Sequence, residues 1–362
     1  MLSLDVTLAF RGFDLSVRHA LPITGLTALF GRSGSGKSTL LRVIAGLEPS
    51  AKGRVAWQDY VWQDGRHFTP AHKRGLGYVF QDTRLFPHLT VAQNLSYADR
   101  RAHGLPGPGM ADIIAALDLG PLLARQPTSL SGGEASRAAI GRALLTRPRM
   151  LLMDEPLAAL DEARKAEILP YLERLRDQIG TPILYVSHNM AEVARLATHL
   201  MLIDAGRITH HGPVEVLLSD PGIAPALGLR EAGAVIETTL THQHEDGLSQ
   251  LATSAGPLLL PRIEAALGSR IRVRILAQDV ILSRSRPTGL SALNILPATV
   301  TDLRTGSGPG ALVQLRLGQG HILARITRRS ASDLGLAPGS DCFAILKSVA
   351  VARANIGTVL PK

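Results

Sequence analysis

Leu26-Thr27-Ala28-Leu29-Phe30-Gly31-Arg32-Ser33-Gly34-Ser35-Gly36-Lys37-Ser38-Thr39-Leu40-Leu41-Arg42-Val43-Ile44 joins an apolar run to a helical pattern through a glycine-rich turn. Its middle, Gly31 to Ser38, fits G-x-x-x-x-G-K-[ST] in the strand–turn–helix setting that this pattern requires. Glycines at 31, 34 and 36 let backbone N–H groups curl around phosphate oxygens where side chains would clash. Arg32, Ser33 and Ser35 supply the peptide units between them, and the helix start beyond Gly36 adds unpaired N–H groups and the positive end of its dipole. Lys37 is expected to reach terminal phosphates, Ser38 to ligate Mg²⁺, and Thr39 to continue the cradle. A glycine turn that only caps a helix has no use for Lys-Ser at this spacing.

Downstream, Arg149-Met-Leu-Leu-Met153-Asp154-Glu155-Pro156 delivers two carboxylates from an apolar strand to the sheet edge where α/β proteins bind ligands. Asp154 suits Mg²⁺, and Glu155 is placed to polarise an attacking water. Around these two motifs the first 220 residues alternate apolar runs with helical stretches, which predicts an α/β domain. Leu26–Phe30, Gly77–Phe80, Met150–Met153, Ile183–Val186 and Leu200–Ile203 read as buried strands. Ser38–Gly46, Gly133–Thr146, Glu162–Gln178 and Met190–Ala197 read as helices. From about 84 to 145 the pattern turns helical with Pro/Gly breaks, an inserted helical subdomain within a domain of residues 1–230.

Leu130-Ser131-Gly132-Gly133-Glu134 opens a second helix with a phosphate-friendly N-terminus. One nucleotide does not need two such cradles from one chain, so the expected geometry is a head-to-tail homodimer with this segment closing on the partner's nucleotide. The segment resembles the signature of ABC transporter ATPases, and the resemblance extends over the whole first domain. It implies ATP and Mg²⁺ as cofactors. It also implies that Gln81, in Tyr78-Val-Phe-Gln-Asp, contacts Mg²⁺ and water, and that Ala158-Ala-Leu160-Asp161 is the D-loop. His188, in Tyr185-Val-Ser-His, becomes the switch residue on the γ-phosphate. Leu85-Phe86-Pro87-His88-Leu89-Thr90-Val91 corresponds to the stretch that faces a membrane subunit in the family. The chain departs from the family at Ala135-Ser136-Arg137, where Gln usually precedes Arg, and at Ala158, where Ser is frequent. Phe10 and Phe13 are the aromatic residues near the adenine position, and both read as core.

After about Pro225 the texture changes to short strands with Gly/Pro turns: Arg270–Leu282, Ala298–Leu303, Ala311–Leu317, His321–Ile326 and Cys342–Val351. This predicts a small all-β, OB-like barrel. Its first half is a β-rich segment of residues 231–290, and a domain of residues 291–356 follows. Gly268-Ser269…Ile275-Leu276 echoes Gly339-Ser340…Ile345-Leu346, with spacings that differ by one. Gly268 to Ser283 resembles the accessory domain of ABC importer ATPases. Ser291-Ala-Leu-Asn294, Ile326-Thr-Arg-Arg-Ser330 and Phe343-Ala-Ile-Leu-Lys347-Ser348 are similar to the molybdate-binding Mop domain. A tetrahedral dianion calls for hydroxyls, N–H groups and one cation, which Ser291, Asn294, Ser330 and Lys347 could supply. Leu293 stands where the family usually has Arg.

The resemblance therefore implies the ATPase subunit of a molybdate importer. Its partners would be two integral-membrane permease subunits and, indirectly, an extracytoplasmic binding protein, with molybdate as a regulatory ligand. An importer of sulfate or tungstate with a purely structural tail is the alternative. A soluble ABC ATPase acting on nucleic acid fits less well. Only 93 residues lie between Lys37 and Ser131, too few for a long coiled-coil insert, and Phe343 is the only aromatic residue beyond Tyr185. Single-strand binders need stacking platforms, so nucleic acid is not an expected partner. Arg270, Arg272, Arg274, Arg284 and Arg286 read instead as the wet face of amphipathic strand. Net charge is +9, which favours an acidic partner without choosing one. His210-His211 and His242/His244 have no acidic or cysteine set at ligand spacing.

A 362-residue chain suits two domains. Mean hydropathy is +0.14, but the longest uncharged runs, Gly247–Pro261 and Pro287–Thr301, are broken by Gly and Pro and fall short of the ~20 residues a span needs. Met1-Leu2-Ser3-Leu4-Asp5 lacks the basic and apolar regions of a signal peptide, and the single Cys342 forms no internal disulfide. The expected location is peripheral, on the cytoplasmic face of the cell membrane. Cys342 reads as a small buried apolar side chain.

Overall fold

The computed structural model of the chain describes residues 1–10, 12–23, 25–102 and 104–359. Contacts divide them into two compact units, Met1–Asn189 with Leu196–His211, and Met190–Arg195 with the chain from Gly212 onward.

In the first unit a six-stranded sheet runs in the order Arg207–Pro213, His199–Asp204, Leu26–Phe30, Ile183–Ser187, Met150–Asp154, Leu76–Val79. The pairings from His199–Asp204 through Leu76–Val79 are all parallel. Leu26–Phe30 and Ile183–Ser187 are buried at every position, as the uninterrupted apolar runs require of strands covered on both faces. Parallel pairing sends the C-terminal ends to one edge. Gly31, Gln81, Glu155 and His188 therefore leave four neighbouring strands on the same side, which is the physical reason that distant motifs converge.

A second sheet of five antiparallel strands, in the order Phe13–Leu21, Leu2–Phe10, Lys52–Trp57, Tyr60–Asp64, His67–Phe68, covers the helix after the phosphate loop. Its alternation is plain in Leu2, Leu4, Val6 and Leu8, all buried. The helical insert contributes Val91–Arg101, Met110–Ala116 and Gly132–Leu144, linked by 3₁₀ turns at Gly120–Leu122 and Pro127–Ser129. Thr90 starts the first of these helices with a reciprocal cap: its hydroxyl accepts from Gln93 N while Gln93 reaches back to Thr90 N.

The second unit holds two five-stranded sheets of identical plan. One is ordered Gly256–Pro261, Leu248–Thr253, Gly233–Gln243, Arg270–Leu276, Ile356–Val359. The other is Gly320–Thr327, Gly310–Leu317, Asn294–Thr305, Asp341–Leu346, Val280–Ser283. Each half lends its last strand to the other, and one apolar cluster is filled from both. The repeat extends to single hydrogen bonds. Gly268 N donates to Leu240 O at 2.8 Å and Leu240 N to Ser269 O at 2.9 Å; Gly339 N donates to Val300 O at 2.8 Å and Val300 N to Ser340 O at 2.9 Å. Both long strands are bulged at the matching place, Leu240/His242 and Val300/Asp302. The Gly-Ser echo in the sequence is thus real. Register pairs Ile275 with Leu346, however, since Ala234 faces Ile275 and Asn294 faces Leu346.

The tail corrects several expectations. Arg270–Leu282 is not one strand: it stops at Leu276, turns through Ala277–Asp279, and resumes as Val280–Ser283 in the other sheet. The strand from Asp341 ends at Leu346, short of Val351. Arg272 and Arg274 do not form a wet face, each being only 4% exposed. Their strand lies between two others, and Arg274 is neutralised by Glu231, whose carboxylate and carbonyl it reaches at 2.8 Å. Cys342 is buried, and burial pushes its thiol pKa up. No helix among the described residues is long and apolar enough to cross a membrane.

Candidate active site

Gly34 and Gly36 hold φ of 78° and 102°, a region open chiefly to glycine. A Cβ on Gly31 would fall 2.2 Å from Ile203 O, and one on Gly36 would fall 2.6 Å from the Phe13 ring. The helix Lys37–Ala45 then begins with no side-chain cap. Its leading N–H groups therefore point to a ligand from outside the chain. Ser35 Oγ is buried without a partner among the described residues, a second unpaired polar group in the same loop. At the other end of the helix, Arg74 is 1% exposed and donates to Val43 O at 3.0 Å and Ile44 O at 2.8 Å. Burial lowers its pKa to about 10. A cation on terminal carbonyls complements the helix dipole and holds the helix against the sheet that supplies the loop.

Lys37 turns back across the loop, donating to Gly31 O at 2.9 Å and Arg32 O at 3.0 Å, with Nζ 3.9 Å from Glu155 Oε1. Burial lowers its pKa, and Glu155 and Asp154 partly offset that effect. Ser38 Oγ donates to Asp154 Oδ1 at 2.7 Å. The other oxygen of Asp154 accepts from Tyr78 OH at 3.0 Å, and burial followed by Asp154 raises the phenol pKa well above its ordinary value. Tyr78 was legible only as a strand residue, because nothing in sequence spacing shows which face of a buried strand meets the carboxylate.

Glu155 sits at φ 46°, a backbone region that a non-glycine residue occupies at a cost of order 1 kcal/mol. Its N–H donates to Val186 O, and His188 Nδ1 lies 2.9 Å from Glu155 Oε2. Gly31, Lys37, Ser38, Asp154, Glu155 and His188 are thus gathered at one sheet edge. Gln81 follows the neighbouring strand but is exposed, and is not hydrogen-bonded to Asp154, Glu155 or His188 among the described residues.

Ser131 begins the helix Gly132–Leu144 with a full capping box. Its hydroxyl accepts from Glu134 N, and Glu134 Oε2 accepts from Ser131 N at 2.7 Å. Gly132 and Gly133 leave room for their own chain: a Cβ would fall 2.8 Å from Leu160 and 3.1 Å from Ile168. Asp161 caps the next helix, Glu162–Gln178, accepting from Arg164 N at 2.9 Å. At the far end of the Gly132–Leu144 helix Arg142 reaches Asn94 Oδ1 at 3.3 Å and covers the Phe86 ring. Buried Asn94 also bonds Phe86, Leu89 and Thr90 backbone, so the loop Leu85–Val91 is built on a residue that the sequence reading passed over. Phe10 is exposed rather than core, while Phe13 is partly buried beside Gly36.

The four oxyanion residues are not gathered. Asn294 is spent on the fold: its Oδ1 accepts from Leu259 N at 2.7 Å, and its Nδ2 donates to Leu259 O at 2.9 Å and Ser348 Oγ. The equivalent residue of the first half, Ala234, makes no such side-chain bond. Lys347 adjoins Asn294's pairing partner and is exposed, as is Ser291. Ser330 belongs elsewhere, in a helix that follows Thr327 at the opposite end of the Asn294–Thr305 strand.

A strand–loop–helix cradle with a serine–aspartate pair and a glutamate–histidine pair on the same parallel sheet defines a P-loop nucleotide hydrolase. The ABC transporter family matches residues 16–158 and the TOBE domain residues 290–352. Two curated relatives named "Molybdenum import ATP-binding protein ModC" align nearly end to end. That of Mesorhizobium japonicum is 47% identical over 367 residues, 99% of each chain, and that of Thiobacillus denitrificans 49% over 347 residues, 95% of this chain and 96% of the relative. A solved nucleotide-free ATP-binding cassette from an ABC transporter superposes with TM-score 0.51 at 27% identity, covering 62% of this chain and 96% of that one. The chain belongs to the ABC transporter family, as an ATP-binding subunit carrying a C-terminal TOBE domain.

Proposed function

We propose that this chain binds and hydrolyses ATP to energise molybdate import across the cytoplasmic membrane. It would work as a homodimer on the cytoplasmic face beside two membrane-spanning permease subunits, which receive cargo from an extracytoplasmic binding protein. The observation that carries the enzymatic part is the meeting of Ser38–Asp154 and His188–Glu155 around Lys37. The cargo rests on the relatives named for molybdenum import.

ATP phosphates occupy the cradle of Gly31, Arg32, Ser33, Gly34, Ser35, Gly36, Lys37, Ser38 and Thr39. Lys37 exchanges its two loop carbonyls for phosphate oxygens. Hydroxyl and carboxylate oxygens are hard donors that suit Mg²⁺, so Ser38 and Asp154 would hold the ion, with Gln81 joining them; the ion would neutralise phosphate charge. Glu155 orients water for in-line attack on the γ-phosphate, and His188, fixed by Glu155, contacts the transferring group. Ser131, Gly132 and Gly133 of the partner subunit close the site, with Asp161 shaping that contact through its helix cap. Glu155→Gln retains ATP binding and lowers turnover by about 10²–10⁴-fold; turnover within twofold of the parent would remove Glu155 from this role.

In the tail, exposed Lys347 and Ser291 are the groups available for an oxyanion, with Asn294 as scaffold. Titrating the full chain with molybdate, tungstate and sulfate separates a regulatory oxyanion site from a structural tail. Heat on molybdate or tungstate that Lys347→Ala abolishes supports sensing, and no heat with any of the three leaves the tail structural.

A further inference from the structure

We infer that Ser136 is a positioning residue that ties the signature helix to the turn holding Glu155, and so couples the two ATP sites of the dimer. The inference rests on the proposed sandwich, in which Ser131–Gly133 faces the partner's nucleotide while Glu155 faces its own. Ser136 lies in the second turn of the Gly132–Leu144 helix and is 2% exposed. Its Oγ donates to Pro156 O at 3.1 Å across a buried contact. Pro156 immediately follows Glu155, whose φ of 46° must be held by its surroundings.

Backbone hydrogen bonds fix that turn on its own side. Glu155 N donates to Val186 O at 3.1 Å, and Ala158 N donates to Glu155 O at 3.1 Å. Both tie the turn to itself or to its own sheet. Among the described residues the bond from Ser136 is the one that ties it to the helix that begins at Ser131. Around it the fit is tight: Gly132 leaves no room for a Cβ beside Leu160, and Gly133 little beside Ile168. A displacement of the helix start, as when a partner's phosphate draws it in, is carried over little more than one helical turn to the carbonyl next to Glu155. A serine suits this position because its short hydroxyl reaches one carbonyl and no further.

The test compares Ser136→Ala, Ser136→Cys and Ser136→Thr in the full chain assembled with its membrane subunits, by steady-state ATP hydrolysis across ATP concentration. Cysteine keeps the volume and loses the strong donor, while threonine keeps the hydroxyl. Expected are a Hill coefficient above 1 for the parent and for threonine, and a fall toward 1 for alanine and cysteine. Their kcat falls about tenfold, the scale of one lost buried hydrogen bond, while affinity for a fluorescent ATP analogue stays unchanged. Parent-like kcat and Hill coefficient in both alanine and cysteine overturn the role of Ser136 alone, as does equal loss in all three variants, which assigns the position to packing. A parent that shows no cooperativity overturns the two-site reading beneath it.

Discussion

At Gly36 a helix begins with no side chain of its own over its leading N–H groups, whereas at Ser131 a helix that also starts in glycines is closed by its own serine and glutamate. The two look alike as sequence, yet their glycines answer to different neighbours. In the first loop Gly34 and Gly36 hold positive φ, and Gly31 and Gly36 keep a cradle open beside Ile203 and Phe13. Those of the second make way for Leu160 and Ile168 of the same chain. The first end is unfinished without a ligand. The second is finished as a structural element and offers only its outer surface, which suits a surface that closes on a nucleotide already held by another subunit.

If that contrast is right, damage to the two ends has different signatures. Lys37→Ala removes the cation of the open cradle and lowers ATP hydrolysis by at least about 100-fold, with loss of tight ATP binding; retained binding in a nucleotide titration would contradict the cradle. Arg74→Ala strips the cap from the far end of the same helix: the Ile44 and Thr69 carbonyls lose the donor they have among the described residues, while Val43 O keeps Gly46 N. It should cost roughly 2–4 kcal/mol in denaturant unfolding, and Arg74→Lys should recover only part of it because a single ammonium cannot reproduce the guanidinium fork. Glu134→Ala opens the capping box and should cost about 1 kcal/mol, leaving ATP binding untouched.

The same glutamate sets a pH dependence. The Ser131 backbone N–H, then the Ser131 hydroxyl and Arg125, hold its carboxyl pKa below the ordinary value. Its contribution is complete above the unfolded-state value of about 4.3 and fades as pH falls through the lower folded-state value. The stability difference between parent and Glu134→Ala should therefore shrink below about pH 4. A difference that stays constant down to pH 3 would remove the carboxylate from the cap.

Most of the first unit could be read in advance because its signals are local. Apolar runs that need no alternation become the central parallel strands, and the loop from Gly31 to Lys37 carries its own geometry. What escaped was set by packing. Leu2–Phe10 alternates clearly but contains no motif to draw notice. Arg272 and Arg274 alternate like a solvated face, yet both are buried on a strand held between Gly233–Gln243 and Ile356–Val359, with Arg274 on Glu231 and Arg272 reaching Arg195 O. Asn294 has the chemistry of a ligand residue, and the edge strand at Leu259 consumes it. The repeat in the tail was visible as Gly-Ser and then lost by one residue, because the two halves keep the same register with different side chains.

The most direct test mixes two inactive chains, Lys37→Ala and Ser131→Arg, and measures ATP hydrolysis. In a head-to-tail dimer the mixed pair keeps one intact site, an unaltered cradle from the second chain facing an unaltered Ser131 from the first, so activity returns on mixing. If each ATP were handled by the cradle and the Ser131 end of the same chain, no intact site would exist and the mixture would stay as inactive as its parts.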